Sequence, residues 1–206
     1  IMKELDMTSN TNNYKMDIIM HPTLSGAYNV AVGMMHIKEL TRRYSIDRSD
    51  PVTKTGYQRA ANITRVNQIK RVLLNENPED IVLPVTLNFR NFSPSDNLTD
   101  SGKVLMVNDS SQLFVVDGQH RLEGFKAAIA ESPHLFNEFM MPVTIGLQWS
   151  EHYEIEQFHT INTTAKGIEP SLALEKITEL FESAEYNHII EERAEQRGEQ
   201  IFSHGT

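Results

Sequence analysis

The chain has 206 residues, 39% of them hydrophobic and 23% charged, and a formal net charge of -9. That is enough for one domain of ordinary size with a buried core, while the acidity argues against a surface that coats nucleic acid all over. No apolar run reads as a membrane span or a secretory signal, and the absence of cysteine excludes disulfides and thiolate zinc and fits a reducing, cytoplasmic setting.

Residues 1–28 read as a polar N-terminal arm with one short apolar knot, Ile18-Ile19-Met20, punctuated by His21-Pro22 and Ser25-Gly26. Val30, Val32, Met34 and Met35 mark a first strand within Asn29 to Leu40, and Ser45 to Thr55 is loop-like. Gln58 to Asn75 is the best helix. Ile63, Val66, Ile69, Val72 and Leu73 fall on one stripe, and Arg59, Arg65, Lys70 and Arg71 supply four positive charges before any acid. Basic amphipathic helices are usually core helices; this one is also the best candidate for DNA phosphate contact outside the motif below.

Asn77-Pro78 ends that helix, and Ile81 to Phe89 reads as a strand. Asn91 to Gly102 is a long polar loop, exposed by default. Val104 to Val107 and Leu113 to Val116, separated by Asn108-Asp109-Ser110-Ser111, read as a β-hairpin. Asp117-Gly118 stops the second strand, and a helix runs from Gln119 to Ala130 with Leu122, Phe125, Ala128 and Ile129 on one face. Met141 to Leu147 alternates as a further strand, and Ser150 caps a helix with Glu151 and Glu154 in its first turn. Phe158 to Gly167 reads either as a helix end with a glycine stop or, through Asn162, Thr163, Thr164 and Lys166, as the completion of an anion pocket. Ile168 to Leu180 and Ser183 to Arg197 read as helices. Between Glu169 and Glu199 nine Glu face Lys176, Arg193 and Arg197, a balance of -6 that leaves -3 for the rest and allows a basic face there. The order of elements fits α+β.

The strand-to-helix turn at Asp117-Gly118-Gln119-His120-Arg121 carries the chemistry. Such turns gather backbone N–H groups and a helix N-terminus, where anions are held. Gly118 permits close approach, Arg121 offers a planar fork for phosphate, and His120 can donate, accept or shuttle a proton. Asp117 or Glu123 could position water or a phosphate-borne magnesium ion. No Walker-type loop or Gly-x-Ser-x-Gly elbow appears. His152 and His159 are seven residues apart, and no metal site made of side chains alone is supported. Asp-Gly is also a common turn dipeptide, so the bland reading is a solvated helix start.

Val116 to Gly124 resembles the signature of the DGQHR-domain family, which includes DndB of DNA phosphorothioation systems and DpdB of deazapurine-in-DNA systems. Gly56-Tyr57-Gln58-Arg59 and Ile161-Asn162-Thr163-Thr164-Ala165-Lys166 flank it in the family's order, and the resemblance spans roughly Asn29 to Leu180. It implies a ParB/sulfiredoxin-like fold, a small mixed sheet packed with helices, over residues 29–167, followed by an acidic helical extension over 168–206. The first residue, Ile1, and the family's greater length imply a trimmed chain with a missing C-terminal part.

Function follows as three expectations. The first is a nucleotide-binding domain acting with DNA in a bacterial modification or defence system, taking ATP or another NTP with magnesium. Hydrolysis is open. On it Asp117, His120, Arg121 and Glu123 form the catalytic set, and Gly118, Gln119, Arg121, Gln58, Arg59, Asn162, Thr163 and Lys166 hold the nucleotide. Gln58-Arg59 resembles the pair near the nucleotide pocket of restriction families whose motif reads Asp-Gly-Gln-Gln-Arg. The second is a non-catalytic DNA-binding regulator of DndB type, contacting DNA through Arg59, Arg65, Lys70 and Arg71. The third, ranked lowest, is a ParB-like nuclease. Partners would be DNA, a nucleotide and other modification subunits, with no membrane; oligomeric state is open.

Overall fold

In the computed structural model the described residues are 13–22, 29–53, 55–75 and 84–164. The elements run β1 (Tyr14–Pro22), β2 (Asn29–His36), α1 (Ile37–Arg43), β3 (Tyr44–Ser45), α2 (Ile63–Asn75), β4 (Val85–Phe89), α3 (Pro94–Asn97), β5 (Leu98–Thr99), β6 (Val104–Val107), β7 (Leu113–Asp117), α4 (Gln119–Glu131), β8 (Met140–Leu147) and α5 (Glu151–Thr164). The chain divides into two compact units, Ile1–Asn162 and Thr163–Thr206, and the described elements belong to the first except for the last two residues of α5. The class is α+β, as expected. The expected strand residues Ile81 to Leu83, Lys166 and both helices of the acidic extension lie outside the described residues.

Eight strands form one mixed sheet in the order β3-β7-β4-β8-β2-β1-β6-β5. β4 runs parallel to β8, and β3 parallel to β7; the other pairs are antiparallel. The expected hairpin of β6 and β7 does not form: the two are consecutive in sequence but five places apart in the sheet. Leu113, Val115 and Val116 are fully buried, so β7 takes an interior place between β3 and β4 rather than pairing with its predecessor. Five flat strand spacings would separate them by about 24 Å, beyond the roughly 21 Å that the connection from Val107 to Leu113 reaches fully extended. The sheet therefore curls. β1 carries the bend, pairing with β6 through Tyr14–Asp17 and with β2 through Ile18–Pro22. Where a loose arm was expected, a nine-residue strand lies inside the sheet.

Other boundaries shift for local reasons. β2, the strand expected within Asn29 to Leu40, stops at His36, whose Nδ1 accepts the Lys38 backbone N–H and starts α1. α2 begins at Ile63, not at Gln58. Asn62 accepts the N–H groups of Thr64 and Arg65 at 2.9 and 3.2 Å, an N-cap that satisfies donors the helix cannot. The polar segment from Asn91 to Gly102 holds α3, β5 and a 3-10 turn, tied down by Asn97, which accepts from the Ser93 N–H and donates to the Met106 carbonyl.

α4 packs against α1 and α2, burying Leu122, Phe125 and Ala128, and Phe125, Phe136 and Phe139 form an aromatic cluster with centroids 4.9–6.4 Å apart. α2 approaches α4 closely because position 124 is glycine: a Cβ there would lie 2.5 Å from Ile69 Cγ2. Gly124→Ala should therefore destabilise the domain by about 1–3 kcal/mol through overpacking, read as a lowered urea midpoint. Adding Ile69→Ala should recover part of that loss rather than add to it.

Candidate functional site

β7 delivers the chain to Gly118, which adopts φ 101°, ψ 15° and caps α4. A side chain here is excluded twice. The backbone is left-handed, and a Cβ would sit 2.7 Å from Val85 Cγ1 and 3.2 Å from the Arg121 guanidinium. Past the glycine, the first N–H groups of α4 have no intrahelical acceptor and carry the positive end of the helix dipole. Asp117 and Arg121, one turn apart, form an ion pair.

His120 reaches from α4 to the start of α2, its Nε2 accepting the Asn62 backbone N–H at 3.0 Å. A nitrogen that accepts from N–H carries no proton, so the ring is neutral with its hydrogen on Nδ1. Burial, then the Arg65 charge, hold its pKa below the ordinary histidine value, with Asp117 opposing. The same contact sets Arg65, in the first turn of α2, beside the motif.

These groups wall a cleft of about 540 Å³. Asp117 to Arg121 form one side, with Val116 behind. Arg65 and Ile69 come from α2, Phe158 and Asn162 from α5, and Gln58 from the segment before α2. The volume is that of a small-molecule site. Gln58 was expected in the helix; instead it is buried in a parallel bridge to Arg48, and its Nε2 donates to the Val115 carbonyl of β7 and, at 3.2 Å, to the Tyr57 hydroxyl. Gly56 makes this path possible. It has φ 71°, and a Cβ there would collide with the Arg48 carbonyl oxygen at 2.1 Å.

Not every expected residue lines the cleft. Glu123 faces elsewhere, pairing with Arg48 at 3.6 Å; burial chiefly, reinforced by Glu123, pushes the Tyr44 phenol above its usual range. Residues two apart on a helix do not share a face, which separates Glu123 from Arg121. Arg59 is exposed and is not part of the lining; Thr163, on the last turn of α5, is not either. Lys70 pairs with Glu131 at 2.5 Å, and Arg71 is exposed beside a separate depression between α2 and the end of α4. Among the described residues Asp117 is the one carboxylate in the cleft lining, and no three His, Asp or Glu side chains group as metal ligands.

Sequence reasoning missed the support behind the cleft. Glu154, with no exposed side-chain surface, accepts from Tyr57 Oη at 2.7 Å, Asn88 Nδ2 at 2.7 Å and Arg90 Nε and Nη2 at 2.9 and 2.8 Å. Arg90 also pairs with Asp47 at 2.5 Å and lies 3.7 Å over the Phe114 ring. Burial opposes the Arg90 charge, but Glu154 and Asp47 outweigh it and hold the guanidinium more firmly protonated than usual. Burial chiefly, reinforced by Glu154, pushes the Tyr57 hydroxyl up. The Tyr57 ring packs edge-on against Phe158 at 5.1 Å.

The DndB family, described as DNA-sulfur modification-associated, matches residues 23–203. The chain belongs to the DndB family. That membership ties the protein to DNA sulfur modification and covers all the elements around the cleft. No curated protein matches the chain. Among the described residues no helix is long and apolar enough to cross a membrane.

Replacing Glu154 by Ala should cost about 3–5 kcal/mol, because the partly buried Arg90 loses its main counter-charge; chemical denaturation reads this. In an NMR titration His120 should titrate below the ordinary histidine value. Its midpoint should rise in Arg65→Met, which removes a repelling cation, and fall in Asp117→Asn. Because the folded pKa is depressed, the stability His120 allows is fully present above the unfolded value, about 6.5, and is lost as pH falls from there through the folded pKa.

Proposed function

We propose that this DndB-family chain binds a nucleotide in the α4 cleft, its phosphates against Arg121, Arg65 and the first turn of α4, as part of a DNA-modification or defence system whose other partners are DNA and further subunits. The observation that carries the reading is the convergence of two arginines, a neutral histidine and a glycine-capped helix N-terminus on one cleft. Fixed N–H groups and planar guanidinium forks suit phosphate oxygens. The Gln119 Oε1, shut off from solvent without a donor, fits an occupant with hydrogen-bond donors of its own. The ParB/sulfiredoxin-like architecture implied by the motif belongs to the same reading.

Binding is better supported than turnover. Magnesium would arrive on the phosphates, with Asp117 the one cleft carboxylate among the described residues to meet it, and Asp117 is already engaged by Arg121. His120 has its Nε2 occupied and meets a ligand as a donor through Nδ1, not as a base. For the same reason a ParB-like nuclease, which needs clustered acids, has little to draw on.

A second reading, a DNA-binding regulator, is favoured by one observation: Arg59, Arg65 and Arg71 are exposed on α2 and the segment before it. One experiment separates the two. Calorimetry with magnesium and ATP, GTP or CTP should show binding by the wild type, weakened about 10- to 100-fold in Arg121→Ala by loss of a charge-assisted contact. A folded wild type that binds none of the three overturns the nucleotide reading. DNA affinity that falls steeply with salt, and falls again in Arg59→Ala and Arg71→Ala, would then establish the regulator.

A further inference from the structure

The hydrogen-bond polarity of the cleft is imposed from outside it. Glu154 faces the Arg90 guanidinium at 2.8–2.9 Å, is ionised, and can only accept. The Tyr57 hydroxyl therefore spends its one proton on Glu154, and its oxygen can only accept in turn, which it does from Gln58 Nε2. The other Gln58 amide hydrogen goes to the Val115 carbonyl. Bonding to a main-chain carbonyl also fixes which end of the amide is nitrogen. Both donors of Gln58 are spent, and Oε1 is the polar atom it has left.

Asn162 is tethered more loosely: one Nδ2 hydrogen goes to the Phe158 carbonyl at 2.7 Å, which fixes the amide's orientation and leaves Oδ1 and a second N–H. Gln119 adds the buried Oε1 that has no donor. Three amide side chains in the lining thus carry acceptors, Gln58 with no donor to spare and Asn162 and Gln119 with N–H groups as well, alongside the ring of Phe158, while Arg65, Arg121 and His120 contribute donors.

We infer that the cleft discriminates by base edge, taking a nucleotide whose base carries an amino group (adenine, cytosine or guanine) in preference to the oxo counterpart (hypoxanthine or uracil). The inference rests on the nucleotide reading and deepens it. The amino group supplies N–H donors where the oxo base supplies another acceptor, and a site whose buried acceptors are left unpaired rejects the wrong ligand strongly. Phe158 offers the base an aromatic surface. Gln58 is a specificity-determining residue; Tyr57 and Glu154 are positioning residues acting through it.

The test is calorimetry with matched magnesium nucleotides, ATP against ITP and CTP against UTP, with inorganic tripolyphosphate as the base-free probe. The amino-bearing member of at least one pair should bind about tenfold tighter or more, and that ratio should fall toward one in Gln119→Met and Asn162→Leu. These two variants are used because Gln58 is buried and its replacement threatens the fold. Equal affinities within both pairs, with tripolyphosphate still bound, overturn the base-edge inference and leave the phosphate site standing. An unchanged ratio in both variants overturns the assignment to these amides. Failure of every probe, tripolyphosphate included, overturns the nucleotide reading itself.

Discussion

Glu154 is the constraint around which the cleft is built. A carboxylate with no exposed surface costs several kcal/mol in lost hydration unless it is paired and hydrogen-bonded, and this one is met by Arg90, Tyr57 and Asn88 together. Meeting it binds the end of β4 to the first turn of α5 and draws in the segment between β3 and α2, where the Asp47 carbonyl accepts the N–H groups of Tyr57 and Gln58. The consequence runs along α5. Positions 154, 158 and 162 are spaced four apart and share one helix face, so the buried charge at one end sets where Phe158 and Asn162 present themselves to the cleft.

Seven residues of the signature motif then have a physical reason. Asp117 holds Arg121 within a single turn of helix. Gly118 is the residue type that accepts the left-handed turn against Val85. His120 bonds the main chain at the start of α2, Leu122 fills the core, Glu123 pairs with Arg48 on another face, and Gly124 lets α2 come close. Two of these positions serve packing rather than chemistry, and Glu123 serves an ion pair. A run of motif residues is therefore not a list of catalytic groups, and spacing on the helix separates the two kinds.

Local pattern carried the elements whose neighbours are close in sequence. The apolar run Leu113 to Val116, the stop at Asp117-Gly118, the helix that follows and the alternation of Met141 to Leu147 all have their cause within a few residues. The boundary of α2 was missed although its signal was present: Asn62 is a good N-cap residue, and Gln58 to Ala61 contribute nothing to the apolar stripe. Pairing of β7 with β4 and β3 was out of reach, because strand partnership depends on burial across the whole sheet and the short connection from Val107 favoured a hairpin. Glu154 was read as an acid in a helix first turn, where carboxylates normally sit for the dipole and in water. Nothing local distinguishes that from a buried carboxylate whose partners, Arg90 and Tyr57, lie 64 and 97 residues away.

Main-chain groups hold three of the cleft's polar side chains. His120 is fixed on the Asn62 N–H, Gln58 on the Val115 carbonyl and Asn162 on the Phe158 carbonyl, and Gln58, whose second amide hydrogen goes to Tyr57, is left with Oε1 alone. A side chain anchored at one end has already given up the rotamer freedom that a ligand would otherwise have to freeze, which is the main way preorganised sites gain affinity without added contact area. Anchoring also fixes polarity, since an amide whose nitrogen is bound to a carbonyl cannot turn over to suit a different partner. On the proposed nucleotide reading the polarity that Gln58 presents is settled during folding: the burial of Glu154, acting through Tyr57, decides which of its atoms remains, and the glycines at 56 and 118 let the backbone bring the lining to one place.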